Sequence, residues 1–97
     1  MKDIISNINK LFESRIRLGI MSVLMVNPEY DFNSFKEALD ITDGNLASHL
    51  KALEKTGMIK VSKQFIGRKP NTKYSATEKG VAEFGRHLKA LEDLINQ

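Results

Sequence analysis

A chain of 97 residues, 41% hydrophobic and 28% charged, has the size and balance of one soluble globular domain spanning residues 1–97, not of a disordered tail. It contains no cysteine, which excludes disulfides, thiolate metal sites and a cysteine nucleophile. No apolar run approaches the roughly 20 residues of a membrane span and no secretory signal opens the chain, so a cytoplasmic protein is expected; the net charge of +3 decides little by its sum.

Ile4, Ile5, Ile8, Leu11 and Phe12 repeat at helical spacing and predict a first helix over Lys2–Phe12. Ser14 is a candidate N-cap for a second helix, Arg15–Val26, which is apolar on nearly all sides and so expected to be central. Asn27-Pro28 ends it. A short extended piece near Asp31–Asn33 leads to a brief helix, Phe35–Asp40, capped by Asn33 or Ser34. Phe32 and Phe35 are expected in the core. Ile41-Thr42-Asp43 reads as a tight turn into a fourth helix, about residues 43–56. Thr42 or Asp43 caps it, Gly57 closes it, and Leu46, Leu50 and Leu53 form its buried side. A hairpin over about residues 58–76 follows. Its first strand, Met58–Phe65, places Ile59, Val61 and Phe65 on one face. Its second, Thr72–Ala76, places Tyr74 and Ala76 on one face. A turn-rich, basic tip, Gly67-Arg68-Lys69-Pro70-Asn71, joins them. Thr77 caps a last helix that runs to about Asn96.

The predicted fold is mainly α with a small β-wing: helix, helix, short strand, helix, turn, helix, hairpin, long helix. Two short helices joined by a three- or four-residue turn form a helix-turn-helix, and a hairpin directly after the second makes it winged. Charge follows this layout. Residues 48–75 carry seven cations against Glu54 alone, a net +6, whereas residues 31–47 carry −3. A stretch of that kind is either a solvated lysine-rich surface or a polyanion-binding face. Its overlap with the second helix of the motif and the wing favours double-stranded DNA. At 100° per residue the leucines of the fourth helix centre one face, and Asn45, Ser48, Lys51 and Lys55 lie opposite, with His49 on the flank. Asn45, Ser48 and His49 are candidate base readers in a major groove. Lys51 and Lys55 are placed for phosphates, and Arg68 and Lys69 at the wing tip for an adjacent minor groove, with Lys63 and Thr72 as further candidate DNA contacts. Lys60 and Lys63 read first as solvated strand residues and second as phosphate contacts, and Arg15 and Arg17 either cap and solvate the second helix or offer a phosphate contact at its N-terminus.

The run Leu46-Ala47-Ser48-His49-Leu50-Lys51-Ala52-Leu53-Glu54-Lys55-Thr56-Gly57-Met58-Ile59 resembles the recognition helix of winged-helix transcriptional regulators of bacteria and archaea, of the arsenic-repressor and multiple-antibiotic-resistance types. Arg17-Leu18-Gly19-Ile20, Asp43-Gly44-Asn45-Leu46, Gly67-Arg68-Lys69-Pro70 and Thr72-Lys73-Tyr74-Ser75-Ala76-Thr77-Glu78-Lys79-Gly80 fit the same pattern. The match extends from about Arg15 to Leu91. The resemblance implies a small, stand-alone DNA-binding homodimer. The chain departs from the pattern in lacking metal-sensing cysteines and in having Gly44 inside the helix instead of a glycine in the turn. No metal and no cofactor are expected, since His49 and His87 stand 38 positions apart and no acidic cluster has ligand spacing.

The last helix, about residues 77–96, carries Val81, Phe84, Leu88, Leu91 and Ile95 at the period of a coiled-coil seam. This stripe either packs on its own core or pairs with a second subunit. The second reading assigns dimerisation to Phe84, Leu88, Leu91 and Ile95 with Ile4, Ile8 and Leu11. No sensor domain is expected, so a small-molecule effector, if one exists, is left the dimer interface or a minor pocket. No nucleophile–base pair, phosphate-binding glycine loop or carboxylate pair stands out, and the chain is not expected to be an enzyme. The competing roles are a protein-contact module and an architectural DNA binder. RNA binding is disfavoured because the aromatics sit at apolar-face positions, leaving no exposed stacking platform.

Overall fold

The computed structural model describes all 97 residues. In chain order the elements are α1 (Lys2–Ser6), a 3-10 turn (Lys10–Phe12), α2 (Arg15–Val26), β1 (Tyr30–Asp31), α3 (Phe32–Leu39), α4 (Asp43–Lys55), β2 (Ile59–Ile66), β3 (Lys69–Ala76) and α5 (Glu78–Ile95). The expected winged helix-turn-helix is the observed architecture. The strands form one antiparallel sheet in the order β1-β3-β2.

Side-chain caps set most boundaries. Ser14 Oγ accepts from the Arg17 N–H, Thr42 Oγ1 from Asn45 N–H, and Thr77 Oγ1 from Gly80 N–H. Each satisfies a donor that the first helical turn leaves unpaired. Asp31, not Asn33 or Ser34, caps α3: its Oδ1 accepts from Ser34 N–H at 2.9 Å, so the helix starts at Phe32. The Ser34 side chain first, and then this backbone N–H, Asn71 and the Lys73 charge, hold the Asp31 carboxyl below the usual carboxylate range against the opposing effect of its burial.

Three expectations are corrected. The first helix does not run continuously to Phe12. It stops at Ser6, and Asn9 caps a separate 3-10 turn by accepting from Leu11 N–H. Asparagine side chains compete with the helical ladder, and two of them, Asn7 and Asn9, interrupt this one. The wing tip is not a five-residue loop either. Ile66 pairs with Lys69, which leaves Gly67-Arg68 as a two-residue turn. Gly67 takes φ +65 while Arg68 does not cross to positive φ, the sign pattern of a type II′ hairpin. Pro70 is consequently a strand residue. The last correction concerns the aromatics: Phe65 shares parity with Ile59 but is 75% exposed, where no exposed aromatic platform was expected.

The core gathers Phe12, Ile16, Ile20, Met21, Leu24, Phe35, Leu46, Leu50, Leu53, Met58, Ile59 and Phe84. It joins α2, α3, α4, the start of β2 and the middle of α5. α5 approaches β2 so closely that a Cβ at Gly80 would lie 1.9 Å from the Met58 carbonyl oxygen. The same oxygen accepts from Thr77 N–H at 3.1 Å. Thr77 thus caps α5 and anchors it to the base of the wing.

Candidate nucleic-acid interface

α3, the Asp40–Thr42 turn and α4 form the helix-turn-helix. Asp40 occupies the left-handed region (φ 50) at the C-cap of α3, a conformation that aspartate tolerates better than most residues. It supplies the turn geometry for which a glycine was expected. Gly44 has nothing within 4 Å of a would-be Cβ and lies on the open surface of α4.

On α4, Leu46, Leu50 and Leu53 are at most 2% exposed, as expected from their spacing. Asn45, Ser48, Lys51 and Lys55 are exposed, and His49 is half-buried. The His49 Nδ1 accepts a hydrogen bond from Arg17 Nε at 3.0 Å. Burial first, and then the neighbouring Arg17 charge, push its pKa below the ordinary value. A neutral imidazole that accepts at Nδ1 carries its proton on Nε2. Arg17 also donates from Nη1 to the Leu11 carbonyl oxygen at 3.3 Å. It is therefore a bracket between α2, α4 and the 3-10 turn, a role that its sequence neighbourhood does not reveal.

The wing continues this surface. Successive cross-strand pairs on one face are Ile59/Ala76, Val61/Tyr74, Lys63/Thr72 and Phe65/Pro70. The opposite face carries Lys60/Ser75, Ser62/Lys73, Gln64/Asn71 and Ile66/Lys69. The first face looks toward α4: Val61, Lys63 and Tyr74 line an open groove of about 220 Å³ with Ala47, Leu50, Lys51 and Glu54. Lys63, Arg68 and Lys69 are exposed, and Thr72 is half-buried.

The ion pairs of the chain are Lys36–Asp43, Lys73–Glu29, Arg86–Glu83 and Lys89–Asp93. Lys51, Lys55, Lys60, Lys63, Arg68 and Lys69 take part in none of them. Six exposed cations thus stand on α4 and the wing without a carboxylate partner.

Residues 16–95 match the family described as the winged helix DNA-binding domain. The chain belongs to this winged-helix family. It is 37% identical over 79 residues to an uncharacterized protein of Methanocaldococcus jannaschii, covering 81% of this chain and 86% of that one. A transcriptional regulator homologue from Pyrococcus horikoshii OT3 superposes with a TM-score of 0.85 at 34% identity, covering 98% and 92% of the two chains. A putative MarR-family transcriptional regulator from Enterococcus faecalis V583 superposes with a TM-score of 0.67 at 26% identity, covering 98% and 78%. The protein is a DNA-binding transcriptional regulator, and the winged-helix family, not an enzyme family, accounts for its fold.

The second candidate surface of this winged-helix protein lies on α5. Its stripe divides. Phe84 is 1% exposed and meets Phe12 edge-on at 5.2 Å between ring centroids. It belongs to the protomer's own core, which corrects its assignment to a dimer contact. Leu11 packs against the same core. Leu91, Ile4 and Ile8 are half-buried, while Leu88 is 44% and Ile95 82% exposed.

The row that α5 does bury is Gly80, Phe84, His87 and Ala90. His87, read from sequence only as an unlikely metal ligand, is 2% exposed. Its Nδ1 accepts from Asn9 N–H at 2.9 Å, tying the N-terminal segment to α5. Burial pushes its pKa down, and the Glu13 carboxylate opposes that shift.

Proposed function

We propose that this winged-helix regulator binds a near-palindromic double-stranded DNA site as a homodimer. The observation that carries the reading is the set of six unpaired cations, Lys51, Lys55, Lys60, Lys63, Arg68 and Lys69, around a helix face of small polar residues. In this assignment Asn45, Ser48 and the Nε2–H of His49 address base edges in the major groove. Lys51, Lys55, Lys63 and Thr72 contact phosphates, and Arg68 and Lys69 reach the minor groove.

The dimer is assigned to α5. Val81, Leu88 and Ile95 are 50%, 44% and 82% exposed and recur every seven residues, which keeps them in one row along a helix. α5 has 18 residues, a length of about 27 Å, sufficient for a paired helix. Two-fold symmetry then places half-sites about one helical turn, roughly 34–36 Å, apart. No helix is long and apolar enough to cross a membrane, and a cytoplasmic location is part of the proposal.

Selection of bound duplexes from a random pool tests the whole reading. An enriched inverted repeat is expected. Binding that falls with salt yet enriches no sequence would point to an architectural role, and sedimentation as a monomer at micromolar concentration would remove the dimer.

A further inference from the structure

We infer that the tip of the wing is an apolar wedge: Phe65, backed by Pro70, enters the minor groove about half a helical turn from the bases that α4 reads. The inference rests on the DNA-binding reading above and adds a contact of a different physical kind.

Phe65 is 75% exposed, and an exposed aromatic ring at the end of a hairpin has no role in the core of this chain. It lies on the α4-facing side of the wing, two residues beyond Lys63, which lines the groove against α4. Its cross-strand partner is Pro70. Ile66 and Lys69 close the two-residue turn as a hydrogen-bonded pair, so the next pair, Phe65 and Pro70, is of the non-hydrogen-bonded type, in which side chains stand closest. The N–H that proline lacks would have pointed away from β2, at a stretch of β3 beyond its short pairing with β1, so Pro70 costs the ladder nothing. Together the pair makes a rigid apolar tip.

Charge identifies the occupant. No carboxylate lies between Glu54 and Glu78 in the chain; Lys63 shares the face of Phe65, Arg68 stands in the turn, and Lys69 lies at the tip on the opposite face. An apolar protein partner gains little from such a collar, whereas a polyanion with an apolar floor matches it. The minor groove is such a site: phosphates line its rims, sugars and base edges form its floor, and phenylalanine and proline are among the residues that wedge base steps open there. Reach agrees. Phe65 stands four residues beyond Val61, the wing residue against α4, or about 14 Å at roughly 3.4 Å per residue. Half a turn of duplex is about 17 Å. A wedge at that distance favours pyrimidine–purine steps, which unstack most easily.

The test uses the full chain as wild type, Phe65→Ala, Phe65→Leu and Ile66→Ala. The probes are duplexes enriched from a random pool by the wild-type protein, with 2-aminopurine placed at the flanking steps and titrations made at several salt concentrations. Phe65→Ala should bind about tenfold more weakly. Its slope of log K against log salt should be unchanged, because an apolar contact releases no counterions. It should also lose both the fluorescence rise at the flank and the preference for a flexible step. Phe65→Leu should retain most of the affinity. Ile66→Ala, which truncates an equally terminal residue on the opposite face, should bind as wild type and so controls for loosening of the hairpin.

Wild-type affinity in Phe65→Ala, an equal loss in Ile66→Ala, or a changed salt slope would each overturn the wedge and leave the DNA-binding reading standing. Concentration-dependent self-association that Phe65→Ala abolishes, with duplex binding intact, would assign the tip to a second copy instead and overturn it too. A wild-type protein that retains no duplex would remove both readings together.

Discussion

The wing and the closing helix both leave large apolar side chains uncovered, and their surroundings differ. Along the wing, Phe65 and Ile66 are flanked in the chain by Lys63, Arg68 and Lys69, with no carboxylate between Glu54 and Glu78. Around Val81, Leu88 and Ile95 on α5 both signs occur: Glu78, Glu83, Glu92 and Asp93 with Lys79, Arg86 and Lys89. An exposed apolar group by itself does not say what, if anything, covers it; the charges beside it narrow the choice. A cationic collar selects a polyanion, whereas a balanced helix face is compatible with a copy of itself, because like charges need not accumulate across a two-fold axis.

The comparison can be broken most forcefully on the helix side. Leu88→Glu combined with Ile95→Glu should yield monomers by sedimentation at micromolar concentration. Affinity for a two-half-site duplex should fall on the order of 10²–10⁴, since each half-site then binds without the other. Both residues are exposed in the protomer, so its circular dichroism should be retained. If the double variant remains a dimer, α5 is not the interface. On the wing side, Lys51→Glu with Arg68→Glu should reduce duplex affinity by about a hundredfold through lost counterion release and added repulsion. Sedimentation should not change. Intact DNA binding in this variant would dismiss the cationic face as the contact surface.

Two smaller effects sharpen the contrast. His87 holds the N-terminal segment on α5 as a buried neutral acceptor, so His87→Ala should destabilise the fold by about 2–3 kcal/mol. Its folded pKa is depressed. Above about pH 6.5 the imidazole is neutral in both folded and unfolded chains. Below that value the unfolded chain binds a proton that the folded one refuses. Stability is therefore full above pH 6.5 and is lost as pH falls toward the folded pKa. The melting temperature should drop between pH 7.5 and 5.5, and His87→Gln should reduce that slope; an unchanged slope would show that the Asn9–His87 contact is not what titrates. The smallest change is expected of Arg68→Ala, which should weaken all sequences alike and lower the salt slope by about 1.

Local chemistry made much of the fold legible. Ser14, Thr42 and Thr77 announce helix starts because a cap acts within three residues. The leucine row of α4 announces its buried face because that helix packs along its whole length. The 3-4 stripe of α5 was less informative. It merges two rows, one facing the core through Phe84 and one facing outward through Val81, Leu88 and Ile95, and apolar character alone does not separate them. Strand parity correctly grouped Phe65 with Ile59 and Val61 but says nothing of how far burial extends along the strand. Six residues of strand, about 20 Å, separate Phe65 from Ile59, and the core ends before the strand does. Arg17 and His49 stand 32 positions apart, and His87 and Asn9 stand 78 apart, so no pattern along the chain connects either pair.

The sequence by itself determined the kind and order of the elements from α2 onward, the caps of α2, α4 and α5, and the concentration of positive charge on α4 and the wing. These depend on neighbours within a few residues or on simple counting. Only the tertiary structure decided which apolar side chains remain uncovered, that His87 is buried in the core, and that Arg17 holds the half-buried His49. Periodicity fixes the faces of an element, but burial depends on whether another element reaches far enough to cover them.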